Sequence, residues 1–320
     1  MQDVLAKLRS VGSLSLDGVR PVAAPAMELL QGIAPRAAQS HYEGCALSAD
    51  GRMLAVADAH DNAVLLFRKH AGAGFETVPY RVIEGEPAGL DFPHDVSFGP
   101  SGSGEILAVA QRDGVVSLFD PQPGAGDAPL AELRGAETDL SFSDGVAFVP
   151  PDGRLLAVSN LLSHSITFYA RPSLDSVCFE PRPVHRLAAG SIMRPDGLGI
   201  SPCGGFLAVA NHGAHSVSLF RRGADGGYGP RAMQIISGPD LVHPHSVAFT
   251  EGARHLVITN SGAAHVTVLA RQQDVFGVSW QRMKHGLPRF TPKAVFDRVN
   301  GEDPLRAGRR VWRYGAICWC

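Results

Sequence analysis

The sequence predicts an all-β protein in which units of four short strands repeat around a ring. Three observations carry that expectation. Five stretches of the chain read alike at a spacing of about fifty residues. Each stretch shows the two-residue alternation and the β-branched and aromatic enrichment of strands, and no stretch keeps a helical period.

In chain order the copies are "YEGCALSADGRMLAVADAHDNAVLLF", "PHDVSFGPSGSGEILAVAQRDGVVSLF", "SDGVAFVPPDGRLLAVSNLLSHSITFY", "PDGLGISPCGGFLAVANHGAHSVSLF" and "PHSVAFTEGARHLVITNSGAAHVTVL". Their anchors at the first strand are Glu43, His94, Asp144, Asp196 and His245, separated by 51, 50, 52 and 49 residues. Each copy opens with a short apolar run and a Gly- or Pro-bearing turn. A denser run such as "LLAV" or "FLAV" follows, then a polar loop and an alternating run such as "SVSLF". A fourth, more polar run lies between copies, as in "PYRVIEG", "RAMQIIS" and "WQRMKHG". Density falls from the second run to the fourth, as it does from a strand covered on both faces to one on an outer edge.

Four strands per fifty-residue unit make the blade of a β-propeller. Such a unit cannot bury its faces alone, so the blades close into a ring and the chain is read as a single domain over residues 1–320. The clear repeats cover 42–270, leaving 1–41 and 271–320 for ring closure and terminal extensions. A six-bladed ring is expected, its last blade shared by the two ends: "MELLQG" from the N-terminal side with "PKAVFDRV" and "RRVWRYGAI" from the C-terminal side. A five-bladed ring with extensions is the alternative.

Composition limits the partners. The 320 residues are 45% hydrophobic and 19% charged, enough apolar material for a large core. A formal net charge of −2 provides no global basic field, so neither nucleic acid nor an anionic membrane surface is expected as a partner. No signal-peptide pattern or membrane-span length is seen, and five cysteines lack framework spacing, which points to a cytoplasmic protein with reduced thiols.

The segments "HPHSVAFTEGARHLVITNSGAAHVTVL", "RPDGLGISPCGGFLAVANHGAHSVSLF" and "DGVAFVPPDGRLLAVSN" resemble the repeats of NHL-type and lactonase-like, gluconolactonase-like propellers. The shared features are a proline-containing lead-in, a Gly-Val-type first strand, an Asp-Gly turn and a "VAN" or "VAD" second strand. The resemblance implies the fold over 42–270. It does not choose among lactonases, isomerases, lyases and binding rings.

In a propeller the first strand of each blade lines the central channel, so the five anchors should converge. Three carboxylates and two imidazoles could hold a divalent ion such as Ca²⁺, Mn²⁺ or Zn²⁺ through Glu43, His94, Asp144, Asp196 and His245. Gluconolactonase-type rings resemble this in holding a metal with acids and amides of successive inner strands, although two positions here are His. Without metal, His94, His245, Asp144 and Asp196 could perform acid and base catalysis. Two residues before the anchors, His41, Arg194 and His243 stand where a substrate would enter, with Phe92 and Phe142 in the remaining copies. Arg194 offers paired donors to a carboxylate or phosphate.

Other recurring residues read as scaffold. Asp58, Gln111, Asn160, Asn211 and Asn260 close the second strands and are expected to satisfy the following turn, while His164, His215 and His265 open third strands. Cys45 falls on a core position. Cys318 and Cys320 end a Trp- and Arg-rich segment that reads as a last strand, the alternative being a thiolate pair that chelates a soft metal, forms a redox pair or is a modification point. Two functions remain: a lactonase-like hydrolase or isomerase acting on a small polar or anionic metabolite, or a ring presenting its top loops to a protein partner.

Overall fold

The computed structural model describes residues 40–70, 74–263, 265–274 and 277–282. These residues form five four-stranded antiparallel sheets, each following chain order from its inner to its outer strand. The first contains Tyr42–Leu47 (β1), Met53–Asp58 (β2), Ala63–Arg68 (β3) and Arg81–Ile83 (β4). The second contains Pro93–Ser101 (β5), Gly104–Gln111 (β6), Val115–Phe119 (β7) and Ala131–Leu133 (β8). Ser143–Val149 (β9), Leu155–Asn160 (β10), Ser165–Ala170 (β11) and His185–Leu187 (β12) make the third. The fourth has Pro195–Ile200 (β13), Phe206–Asn211 (β14), Ser216–Arg221 (β15) and Gln234–Ser237 (β16). Pro244–Phe249 (β17), His255–Asn260 (β18), Val266–Asp274 (β19) and Gly277–Arg282 (β20) complete the fifth. Helix among the described residues is limited to three single 3₁₀ turns, and none is long or apolar enough to cross a membrane.

The core lies between the blades. One cluster joins Ala108, Val116 and Leu118 of blade two to Val146, Leu156 and Val158 of blade three. The next joins Ile166 and Phe168 to Leu198, Leu207 and Val209, and another joins Ala208, Val217 and Leu219 to Val247, Leu256 and Ile258. Second strands therefore bury both faces, as their unbroken apolar runs require, and only the first blade forms a cluster of its own among the described residues, Leu54, Val56, Leu65 and Phe67. The segments assigned to a terminal sixth blade, and Cys318 and Cys320, lie outside the described residues. Cys45 is partly buried against Leu54, Val56, Leu65 and Phe67.

Successive inner strands β1, β5, β9, β13 and β17 are neighbours around the axis. Their approach is very close. A Cβ on Gly197 would stand 2.6 Å from the His245 carbonyl oxygen and 2.8 Å from Ser246 Cα, and one on Gly145 would stand 2.8 Å from the Asp196 carbonyl oxygen. Glycine after Asp144 and Asp196 is thus a packing requirement where these inner strands meet.

Candidate functional site

Every anchor sits at an irregularity of its inner strand. Pairing with the second strand slips between Tyr42 and Cys45, Pro93 and Asp95, Pro195 and Leu198, and Pro244 and Val247, while blade three slips opposite Ser159. A bulge re-aims a side chain that regular pleating would send into the blade. The lead-in is equally specific: Phe92, Phe142, Arg194 and His243 adopt left-handed φ values of 52°, 58°, 48° and 49°. Such a conformation costs a non-glycine residue about 1 kcal/mol or more, so it needs external support. Asn62 Oδ1 accepts the Phe92 N–H, His164 Nδ1 that of Arg194, and His215 Nδ1 that of His243.

The second recurring set holds the same loops. Asp58, Gln111, Asn160, Asn211 and Asn260 accept the backbone N–H of His41, Asp91, Ser141, Met193 and Val242, respectively. The expectation that they serve the following turn holds for Asn260, whose Nδ2 donates to the His265 carbonyl, and for Asp58, which accepts the Asp61 N–H; in addition all five reach across their own blade to the segment before the anchor.

All five anchors converge. His245 Nε2 lies 3.0 Å from Glu43 Oε2 and 3.8 Å from Asp196 Oδ2. His94 Nε2 is 3.8 Å from Glu43 Oε2, and the two anchor imidazoles are 5.2 Å apart. Glu43, His94, Asp144 and Asp196 are buried, and His245 is half-buried. His94 Nδ1 is 2.9 Å from the Asp144 carbonyl oxygen and must donate its proton there, so the neutral ring carries its lone pair on Nε2. That Nε2, Asp144 Oδ2 and Asp196 Oδ1 are buried without a hydrogen-bond partner among the described residues. Three buried atoms able to accept hydrogen bonds, on one channel, are an unmet demand for donors.

Electrostatics distinguish the five. Burial opposes the charge on His245, but Asp196 and Glu43 outweigh it and lift the imidazole to about 9. Burial likewise opposes the Glu43 charge, yet the bonds from His245 and His41 hold its carboxyl far below the usual range. Asp196 is also held down against burial, by the charge of His245 and the nearby His212, whose Nδ1 lies 3.3 Å away. Burial pushes Asp144 up. His41, bonded to Glu43 at 3.0 Å, is raised.

The rim contains more than the expected residues. His41 touches the floor through Glu43, Arg194 is exposed and lies against Gly213, and His243 stacks beside His212 and His215 with ring separations of 4.6 and 4.2 Å. Burial, followed by those two neighbours, pushes His243 down. Sequence reasoning missed Arg112, whose Nε is 2.8 Å from Asp144 Oδ1, as well as His212 and Asp95. Asp95 accepts the N–H of Val96 and Val146, and burial above all pushes it to about 7. Its signal was present: the other copies have Gly44, Gly145, Gly197 or Ser246 at that position.

Two trios meet the spacing of metal ligands, Glu43–His94–His245 and His94–Asp144–Asp196, with donor atoms within 4.8 Å. His94 belongs to both; its Nε2 has no hydrogen-bond partner among the described residues, and the bond at Nδ1 is the outer-shell support that ligating imidazoles use.

No family model and no curated protein sequence matches the chain. Solved structures do match. A Lactobacillus plantarum protein is 16% identical, with 78% of this chain and 73% of that one aligned at a TM-score of 0.57. A protein of unknown function from Desulfotomaculum acetoxidans is 12% identical, covering 78% and 74% at 0.54. A Bacteroides fragilis protein provisionally named a 6-phosphogluconolactonase is 15% identical, covering 74% and 68% at 0.53. At these identities the likeness is one of fold.

Proposed function

We propose that the protein is a lactonase-like propeller hydrolase acting on a small hydroxylated, anionic lactone at the channel mouth, in the cytoplasm. One observation carries the reading: anchors from five separate blades bring the imidazoles of His94 and His245 within 5.2 Å of each other, beside buried carboxylate oxygens with no hydrogen-bond partner among the described residues. A scaffold needs none of this. The three described cysteines are free, in keeping with a reducing compartment. The fold likeness to the provisionally named lactonase adds weak support.

In this reading a water attacks the lactone carbonyl carbon while His94 Nε2 takes its proton. The carbonyl π pair moves to oxygen, and protonated His245 stabilises that oxyanion. Collapse re-forms the carbonyl, breaks the acyl–ring-oxygen bond and returns the His94 proton to the leaving alkoxide, giving a hydroxy acid. Asp144 and Asp196 orient the imidazoles and the substrate hydroxyls. Arg194, His41 and His243 line the rim, with Arg194 as its permanent cation. Should Ca²⁺, Mn²⁺ or Zn²⁺ be resident, Glu43, His94 and His245 would hold it, and it would supply Lewis-acid polarisation of the carbonyl.

Proton release from a panel of five- and six-membered sugar lactones tests the reading, with parallel arms after chelation and after metal readdition. The wild type should exceed the buffer rate, and His94→Gln should lose at least about 100-fold. Wild-type rates at the buffer level, or an unaffected His94→Gln, would sink it.

A further inference from the structure

The residue after each second-strand amide or carboxylate occupies one structural position. The backbone N–H of Ala59, Arg112, Leu161, His212 and Ser261 each donates to the carbonyl of the residue two before an anchor: His41, Phe92, Phe142, Arg194 and His243. This sets all five residues at one place beside the lead-in to an anchor. Three are small or apolar, whereas Arg112 and His212 depart from the repeat and both meet anchor carboxylates, Asp144 and Asp196.

Arg112 is held on several sides. Its Nε bonds Asp144 Oδ1, and its guanidinium carbon lies 4.8 Å from the Phe92 ring centroid and 5.1 Å from that of Phe142. Carboxylate and rings together fix the guanidinium plane. Its side chain is one quarter exposed, and Nη1 and Nη2 make no hydrogen bond to a described residue. Asp144 Oδ1, which takes the Nε bond, is also 3.8 Å from His94 Nδ1. The fork thus stands beside the proposed base. A planar pair of parallel donors, immobilised before the ligand arrives, matches the two oxygens of a carboxylate. Below it, His94 Nε2, Asp144 Oδ2 and Asp196 Oδ1 call for hydroxyl donors.

We infer that Arg112 is the specificity residue of the channel and binds the carboxylate of a small hydroxy acid whose hydroxyl groups satisfy the buried acceptors beneath it. The inference rests on the small-molecule reading of this site and narrows its ligand class.

Calorimetric titration of the full-length protein with sodium gluconate, sorbitol and inorganic phosphate tests it. Sorbitol retains the hydroxyls of gluconate and replaces the carboxylate by an alcohol. The wild type should bind gluconate at least tenfold more tightly than either sorbitol or phosphate. Arg112→Gln and Arg112→Lys should each weaken gluconate binding at least tenfold, the second because an ammonium keeps the charge and loses the fork. Phe142→Leu, which leaves the guanidinium in place, should weaken it three- to tenfold and guards against a folding defect in the arginine variants. Arg154→Gln, an exposed arginine bonded to the Pro172 carbonyl, controls for net charge. No wild-type gluconate binding, a loss below threefold in both Arg112 variants, an equal loss in Arg154→Gln, or a preference for phosphate would each overturn the inference. Lactone hydrolysis with gluconate binding indifferent to Arg112 removes this inference alone. Binding that depends on Arg112 in a protein that hydrolyses no lactone upholds it while the hydrolase reading falls.

Discussion

At the scale of single residues, the channel is organised by charge. His245 is lifted from 6.5 to about 9 because Asp196 and Glu43 favour its proton more than burial opposes it. The sign of the stability effect follows: the gain is complete below 6.5 and is lost as pH rises through 9. In chelator-treated protein, urea unfolding should show stability falling by on the order of 3 kcal/mol across that window. His245→Gln should flatten the decline, and an unchanged slope would remove His245 as its cause. Asp95, raised to about 7, contributes in a lower window, from its ordinary 3.8 upwards. The five anchors were legible because the repeat aligned them, and the fold brings all five together. Arg112, His212 and Asp95 were passed over although each departs from its repeat position, the same criterion that marked Arg194 and His243. What sequence lacks is the register that turns Arg112 towards Asp144 of the next blade and His212 towards Asp196 of its own blade.

At the scale of strands, position depends on close approach and on side chains that hold the lead-in loops. Gly197→Ala would push β13 against the backbone of His245 and Ser246, which cannot rotate away. A loss of about 1–3 kcal/mol is expected by chemical denaturation, together with altered His245 resonances. Gly229→Ala, with nothing within 4 Å of its added carbon, should cost little. Asn160 accepts the Ser141 N–H at 3.0 Å and donates to Thr167 Oγ1 at 2.9 Å, so Asn160→Ala strands the Ser141 N–H and removes one of the two donors to Thr167 Oγ1, leaving it the Tyr169 hydroxyl. That should cost about 1–3 kcal/mol, and an effect within error would place these amides outside the stability of the loops. The four-strand pattern was legible from alternation and apolar density. The bulges were not, because a bulge is a matter of pairing register and leaves no composition of its own.

At the scale of the whole molecule, blades cohere through the shared clusters and through arginines near the ends of third strands. Arg171, fully buried, donates to the Pro100 carbonyl of the preceding blade and lies 5.6 and 5.5 Å from the Phe148 and Phe179 rings. Arg222 repeats the reach, to the Pro150 carbonyl at 3.2 Å. Arg171→Ala is expected to cost about 3 kcal/mol and to lower the unfolding midpoint, because packing and paired donors are lost together. An unchanged midpoint would show that these bridges do not hold the ring.

Those bridges and clusters make the ring rigid enough to hold an acid–base pair whose members lie some 150 residues apart in the chain. Nitrogen-15 titration of the imidazoles in metal-free protein tests that pair most directly. The account predicts that His245 titrates near 9 and drops markedly in Glu43→Gln, while neutral His94 carries its proton on Nδ1. A His245 titration at or below 6.5, or neutral His94 protonated on Nε2, would contradict it.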